Sequence, residues 1–377
     1  MDSERIRDAA VGLLDFGRER LRDYALAESP TGDAAALDAC ARLIEAGHAE
    51  AGGATRRVPG PAGDHLVTTW GPEDGPYVVL LGHYDTVWPV GRLDQMPYTD
   101  DGTRIAGPGT YDMKAGLVAV EMAMRALAEA GAGPALSVRA VVVADEEVGS
   151  PDGRTVVERE VTGAAAVFGL EPPHPGGALK TGRKGSTRVK IKVTGREAHA
   201  ALDPDKGVHA IDELIDQLAA ARAAVPEDGS TMYNVGRIEG GTRANVIAGE
   251  AWAEIGLRFA TPEAEAAVLG AITAPRPVRE GAEVRAEILS SRPAWAPPET
   301  NPLLEAVAAA GREVGQAVTG RPASGAGDTN YTGALGVPTL DGFGPDGQGA
   351  HAASEGIVVA SLAERAALLA ALLATGV

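Results

Sequence analysis

Residues 77–85 read Tyr77-Val78-Val79-Leu80-Leu81-Gly82-His83-Tyr84-Asp85, an apolar run that gives way to a histidine and an aspartate. Its first five residues are apolar without alternation, which predicts a strand covered on both faces, as in the sheet of an α/β protein. The run stops at Gly82-His83, where a polar ring replaces the aliphatic side chains. Working outward, a helical pattern over 114–130 precedes a second apolar strand over 138–144, which ends at Asp145-Glu146-Glu147. A third strand, over 164–170, ends at Glu171. Buried strands alternating with helices predict an α/β sheet, whose functional groups gather beyond the strands' carboxyl ends. Toward the N-terminus, 4–26 and 34–49 carry helical periodicity on either side of the turn-rich Glu28-Ser29-Pro30-Thr31-Gly32-Asp33.

The pattern changes near Arg183-Lys184-Gly185. Over 186–194, Thr187, Val189, Ile191 and Val193 alternate with polar and basic neighbours, the period of a half-buried strand. A helix at 207–224, strands near 231–238 and 246–259, a helix near 262–274 and a strand near 282–290 complete the order β-α-β-β-α-β. That order is the signature of a ferredoxin-like open sandwich. The turn-rich segment 292–301 leads back to a helix at 302–316. Two domains are therefore expected: a larger one from 1–183 and 296–377, and a smaller one, 184–295, inserted into it.

Bulk properties narrow the function. The 377 residues carry a net charge of −18, which repels nucleic acid phosphates and anionic membranes and excludes both as expected partners. The single cysteine, Cys40, rules out an intramolecular disulfide and a cysteine zinc cluster, and its apolar-periodic surroundings predict a buried small hydrophobe. The N-terminal residues mix charges, and no apolar run approaches the length of a membrane helix, so a soluble, cytoplasmic protein is expected.

Chemistry is concentrated at a few positions. Seven histidines occur, and His83 stands at a strand end with Asp85 two residues on, on the same side of an extended chain and suited to orient its ring. The glycine-rich Gly107-Pro108-Gly109-Thr110-Tyr111-Asp112-Met113-Lys114-Ala115-Gly116 leads into a helix, with a spacing that fits neither the P-loop nor the dinucleotide fingerprint. Asp112 there reads either as a helix cap or as a carboxylate whose two oxygens bridge two cations. In Asp145-Glu146-Glu147, adjacent carboxylates repel unless cations or protons relieve them. Neighbouring side chains diverge, so Glu147 could hold a metal while Glu146 faces a water. Glu171 and His351, taken singly, read as a solvated strand-end carboxylate and a loop histidine. His48 and His65 lie outside these segments and are expected at the surface; His174 and His209 receive no role.

Gly82 to Val87, Gly107 to Gly116, Asp145 to Ser150, Glu171-Pro172, Gly195 to Ala200 and Gly349-Ala350-His351 together resemble the dinuclear-zinc superfamily of aminoacylases, carboxypeptidases and deacetylases. Within it they resemble the bacterial glutamate carboxypeptidase branch. The resemblance spans nearly the whole chain. It implies a zinc-peptidase-like catalytic domain, its mixed sheet flanked by helices, plus an inserted lid and dimerisation domain. It implies one metal held by His83 and Glu171, another by Glu147 and His351, and Asp112 bridging both. The mixed imidazole and carboxylate set suits two divalent ions, zinc first, with cobalt or manganese as alternatives. Glu146 would be the general base, Asp85 would orient His83, and the Asp112–Met113 peptide would be cis. His199 would reach a neighbouring subunit's site in a homodimer formed through the inserted domain. Asn245 would contact substrate, Arg258 would grip its carboxylate with two parallel bonds, and Arg183 to Gly185 would form a hinge. Ala115, Gln348 and Gly327 depart from the family's usual residues, and none of them is an implied ligand.

The function these features imply is metal-dependent hydrolysis of a small amide or peptide with a free carboxylate, releasing an amino acid, with glutamate expected. The alternative on the same fold is an N-acyl amino acid deacylase, a deacetylase or desuccinylase of biosynthesis. A non-catalytic binding homologue would have lost a ligand or the base, and here all are present.

Overall fold

The strand Tyr77–His83 is buried along its whole length. It pairs in parallel with Ser137–Val143 on one side and Ala166–Gly169 on the other. Thr339–Leu340 adds a further parallel strand beyond Ala166–Gly169, whereas His65–Trp70 and Ala54–Val58 extend the opposite side in antiparallel fashion. The result is a mixed six-stranded sheet with Tyr77–His83 inside it. Alternate residues of this strand feed different cores. Val78 and Leu80 pack among residues of Ala34–Glu50, Ala115–Glu129 and Val359–Thr375. Tyr77, Val79 and Leu81 pack with Val156, Val157 and Val161 of the helix Gly153–Val161. Two-sided cover explains the unbroken apolar run. Ala115–Glu129 is itself buried almost all round, as a helix enclosed by other elements must be.

This computed structural model describes residues 2–72 and 74–376. The chain divides into two compact units, Met1–Gly182 with Pro297–Ala323 and Gly327–Val377, and Arg183–Ala296 with Ser324–Ala326. In the second unit a four-stranded antiparallel sheet runs in the order Thr231–Gly240, Glu250–Phe259, Gly185–Thr194, Glu283–Arg292. Thr187, Val189, Ile191 and Val193 are all buried. Val189, Ile191 and Val193 join a separate apolar core with Leu214 of the helix Ala210–Ala223 and Val268 of Pro262–Ile272. Among the described residues no helix is long and apolar enough to cross a membrane.

Three expectations need correcting. The helical pattern over 4–26 is two helices, Ser3–Gly12 and Leu14–Leu26, broken at Leu13, whose ψ of 5° leaves the helical range. His48 is buried on the inner face of its helix, with Nδ1 2.7 Å from Thr68 Oγ1 and its ring edge-on to Trp70. Burial lowers its pKa to about 3, so it sits neutral in the core. His65 is also fully buried, as the first residue of a sheet strand. Cys40 is buried and free, as its surroundings predict.

Candidate metal centre

Three of the four parallel strands of the first unit each lead to polar residues where the apolar run ends. Tyr77–His83 ends on the His83 ring, Ser137–Val143 leads to Glu146 and Glu147 in a single 3-10 turn, and Glu171 lies just past Ala166–Gly169. The glycine-rich loop brings Asp112 to the same place, with a cis Asp112–Met113 peptide. Gly116 sets the approach of the following helix: a Cβ there would lie 2.3 Å from the Leu170 carbonyl oxygen, so only glycine fits.

The geometry is two-sided. Asp112 Oδ1 is 3.4 Å from His83 Nε2, and its Oδ2 is 3.4 Å from His351 Nε2. His83 Nε2 also lies 3.6 Å from Glu171 Oε1, and His351 Nε2 lies 3.1 Å from Glu147 Oε2. His83, Asp112 and Glu147 offer ligand atoms within 4.8 Å of one another, as do His83, Glu146 and Glu171. The structure thus brings together His83, Asp112, Glu146, Glu147, Glu171 and His351. Asp145 turns away from them, its Oδ2 accepting the Asp152 and Gly153 N–H groups.

Asp85 joins the two strand ends. The His83 Nδ1–H donates to the Asp85 carbonyl oxygen at 3.0 Å and lies 3.3 Å from Oδ1, which leaves the Nε2 lone pair facing the carboxylates. The Asp85 carboxylate also accepts the N–H groups of Glu146 and Glu147 at 3.1 and 3.2 Å and the Thr31 hydroxyl at 2.6 Å. Sequence reading missed Glu355. Its buried carboxylate accepts the N–H groups of Gly109, Tyr111 and Asp112, each at 3.0 Å, and the Trp88 indole N–H at 2.7 Å. It thereby fixes the loop that presents Asp112.

The electrostatics fit a cation. The buried His83 Nε2 and Glu147 Oε1 have no hydrogen-bond partner, and such atoms are costly among carboxylates without a positive charge. Burial pushes Glu147 up to about 7. For His83 burial acts downward but is outweighed by the carboxylates of Asp112, Asp85 and Glu171 around it, so its pKa rises. His351, hydrogen-bonded to Asp112, is raised to about 9. The protein has gathered negative charge that protons relieve when no metal does. Hard and borderline oxygen and imidazole donors of this kind suit a first-row divalent ion or zinc.

The other expected site residues belong to the second unit. His199 is exposed and pairs with Val246. Its Nδ1 accepts the Ala201 and Leu202 N–H groups, both at 3.2 Å, so the ring proton is on Nε2, free to donate. Asn245 is exposed and its carbonyl accepts the Ala200 N–H. Arg258 lies on Glu250–Phe259, opposite Ser186 and Met232, with Nη1 donating to the Leu257 carbonyl.

Imidazoles and carboxylates gathered at the strand ends of a mixed sheet suit a metal-dependent hydrolase, the class to which the family match assigns the chain. The chain belongs to peptidase family M20/M25/M40, whose sequence pattern matches residues 79–375. It is 27% identical over 332 residues to carboxypeptidase G2 of Pseudomonas sp. (strain RS-16), covering 86% of this chain and 80% of that one. It is 32% identical over 306 residues to a putative succinyl-diaminopimelate desuccinylase, DapE, of Mycobacterium tuberculosis (strain CDC 1551 / Oshkosh), covering 78% and 80% of the two chains. The crystal structure of aminopeptidase PepT from Bacillus cereus ATCC 10987 shares the fold, with a TM-score of 0.76 over 96% of this chain and 98% of that one at 22% identity.

Proposed function

We propose that the chain is a dinuclear metal-dependent amide hydrolase of carboxypeptidase type. The reading rests on one observation: the two oxygens of Asp112 face two different histidines, each at 3.4 Å, and each histidine has a further carboxylate beside it. His83 and Glu171 would hold one ion, Glu147 and His351 the other, and Asp112 both, with zinc the metal proposed. Bound there, such a pair lowers the pKa of a water and polarises a carbonyl. Glu146 takes the proton from the attacking water and delivers it to the departing amine. Asp85 keeps the His83 tautomer that leaves Nε2 unprotonated. His199, from a second copy of the chain in a homodimer, donates its Nε2–H to the oxyanion. Arg258 and Asn245 hold the substrate, with the guanidinium on its carboxylate. The likeness to carboxypeptidase G2 supports an amino acid leaving group; glutamate is the one implied by the sequence resemblance, and we assign it.

Glu146→Gln tests the reading. The variant should lose roughly two to four orders of magnitude in kcat, the usual share of a general base, while still taking up metal. Turnover near the wild-type rate would refute the role of Glu146. A second reading, an N-acyl amino acid deacylase, is favoured by the likeness to the putative desuccinylase. Assaying the zinc-loaded protein against peptidyl glutamates, N-acetyl amino acids and N-succinyl amino acids decides between them by kcat/KM.

A further inference from the structure

The loop that presents Glu146 and Glu147 leaves the sheet after Val143 and returns to regular structure at Gly153, the first residue of the helix Gly153–Val161. Backbone pairing between His65–Trp70 and Ser137–Val143 runs only as far as Leu66 opposite Val142. Beyond that point a side chain takes over. The His65 ring, 0% exposed, accepts the Ala144 N–H at Nδ1 over 3.2 Å. With Nδ1 occupied as acceptor, the ring proton is on Nε2, which lies 3.0 Å from Asp152 Oδ2. One rigid ring therefore ties the residue before the carboxylate run to the residue before the helix. Asp145 makes a second tie across the same mouth, its Oδ2 accepting the Asp152 and Gly153 N–H groups at 2.9 and 3.1 Å. The chain closes tightly over the first tie: a Cβ on Gly60 would stand 2.6 Å from His65 Nε2 and 2.8 Å from Asp152 Oδ2.

From this geometry we infer that His65 is a positioning residue, a staple that closes the 144–152 loop and sets where Glu146 and Glu147 stand. The inference rests on the proposed reading that these two carboxylates serve the metal centre. The ring suits the task because its two nitrogens lie on different sides of a flat, inflexible frame. A serine or threonine reaches one partner, and an aliphatic residue leaves the buried Ala144 N–H without an acceptor. Asparagine places its amide oxygen where Nδ1 is, and glutamine reaches the place of Nε2, so the two variants separate the two arms.

The experiment compares wild-type, His65→Ala, His65→Asn, His65→Gln and Asp152→Ala as full-length, metal-free proteins by amide hydrogen–deuterium exchange. Asp152→Ala guards against misfolding, because that side chain is 42% exposed and its loss leaves the core intact. Exchange over 145–153 should quicken about tenfold or more in His65→Ala and Asp152→Ala and stay unchanged elsewhere, as a local opening does. Asparagine and glutamine should give intermediate rates. In the zinc-loaded proteins kcat should fall about tenfold with KM within a factor of two, because a small misplacement of reacting groups costs rate rather than binding, and zinc affinity should weaken in parallel. Wild-type exchange in the loop of both alanine variants overturns the inference. So does faster exchange with kcat and zinc affinity both unchanged. A wild-type protein that takes up no ion would sink the metal reading instead, while the exchange rates still decide whether His65 closes the loop.

Discussion

At the residue scale the centre is a contest between protons and cations. Asp112 is held well below the usual carboxylate range: burial pushes it upward, but the imidazoles of His351 and His83 beside it prevail. Glu147, raised to about 7 by burial, and His351, raised to about 9 by its bond to Asp112, hold protons under conditions where a metal would need them bare. Both folded pKa values are raised, so each proton must leave before its donor can ligate, and metal affinity should climb with pH from 6 towards 9 and level off above. Calorimetric zinc titrations in two buffers of different ionisation enthalpy would register at least one proton expelled per chain near pH 7. An affinity indifferent to pH, with no proton expelled, would contradict this assignment of ligands. His83, Glu146 and Glu147 stood out as candidates because each lies where an apolar run breaks, whereas Glu171 and His351 drew attention only through the family resemblance. Glu355 and His65 did not stand out. Glu355 sits in the undistinguished Ala352-Ala353-Ser354 surroundings, and its importance lies in four N–H groups from elsewhere in the chain. His65 looked like a surface histidine because nothing local to it reveals that Ala144 and Asp152 come to meet it.

At the scale of elements, close approach matters more than propensity. The helix Ala115–Glu129 starts against the end of the strand that leads to Glu171, and Gly116 is the point of contact. Gly116→Ala should raise intrinsic helix stability by about 1 kcal/mol. Against this, the new methyl would meet the Leu170 carbonyl at 2.3 Å, a backbone atom that cannot rotate away. Overpacking costs typically 1–3 kcal/mol and a rigid neighbour pushes towards the upper end, so the net effect should be destabilising. The denaturant midpoint of the variant should fall; a rise would show that the helix can withdraw from the strand. The same distinction governs what the sequence revealed about the elements. Long periodic segments were readable, including the strand Gly185–Thr194 and the helix Pro302–Glu313. The sheet-edge strand Ala54–Val58 was not, because its arginines and half-exposed pattern resemble a loop. The break at Leu13 was hidden because burial at Ile6, Ala10, Gly17 and Leu21 keeps nearly the same period across it.

At the scale of the whole molecule, the two units have cores of different construction. The first unit buries a sheet on both faces and so can leave its strand ends to polar groups. The second buries one face of an antiparallel sheet beneath two helices, and it carries His199, Asn245 and Arg258. The order of elements announced both architectures, since periodicity shifts from continuous to alternating near Arg183. Side-chain convergence is a property of the folded chain alone: His83 and His351 are separated by most of the sequence, yet both flank one carboxylate. The number of ions bound shows whether that carboxylate bridges a metal pair. Elemental analysis of protein loaded with excess zinc and then dialysed should find two ions per wild-type chain and a loss of both in Asp112→Ala. Wild-type protein with none, or Asp112→Ala retaining two, would contradict it.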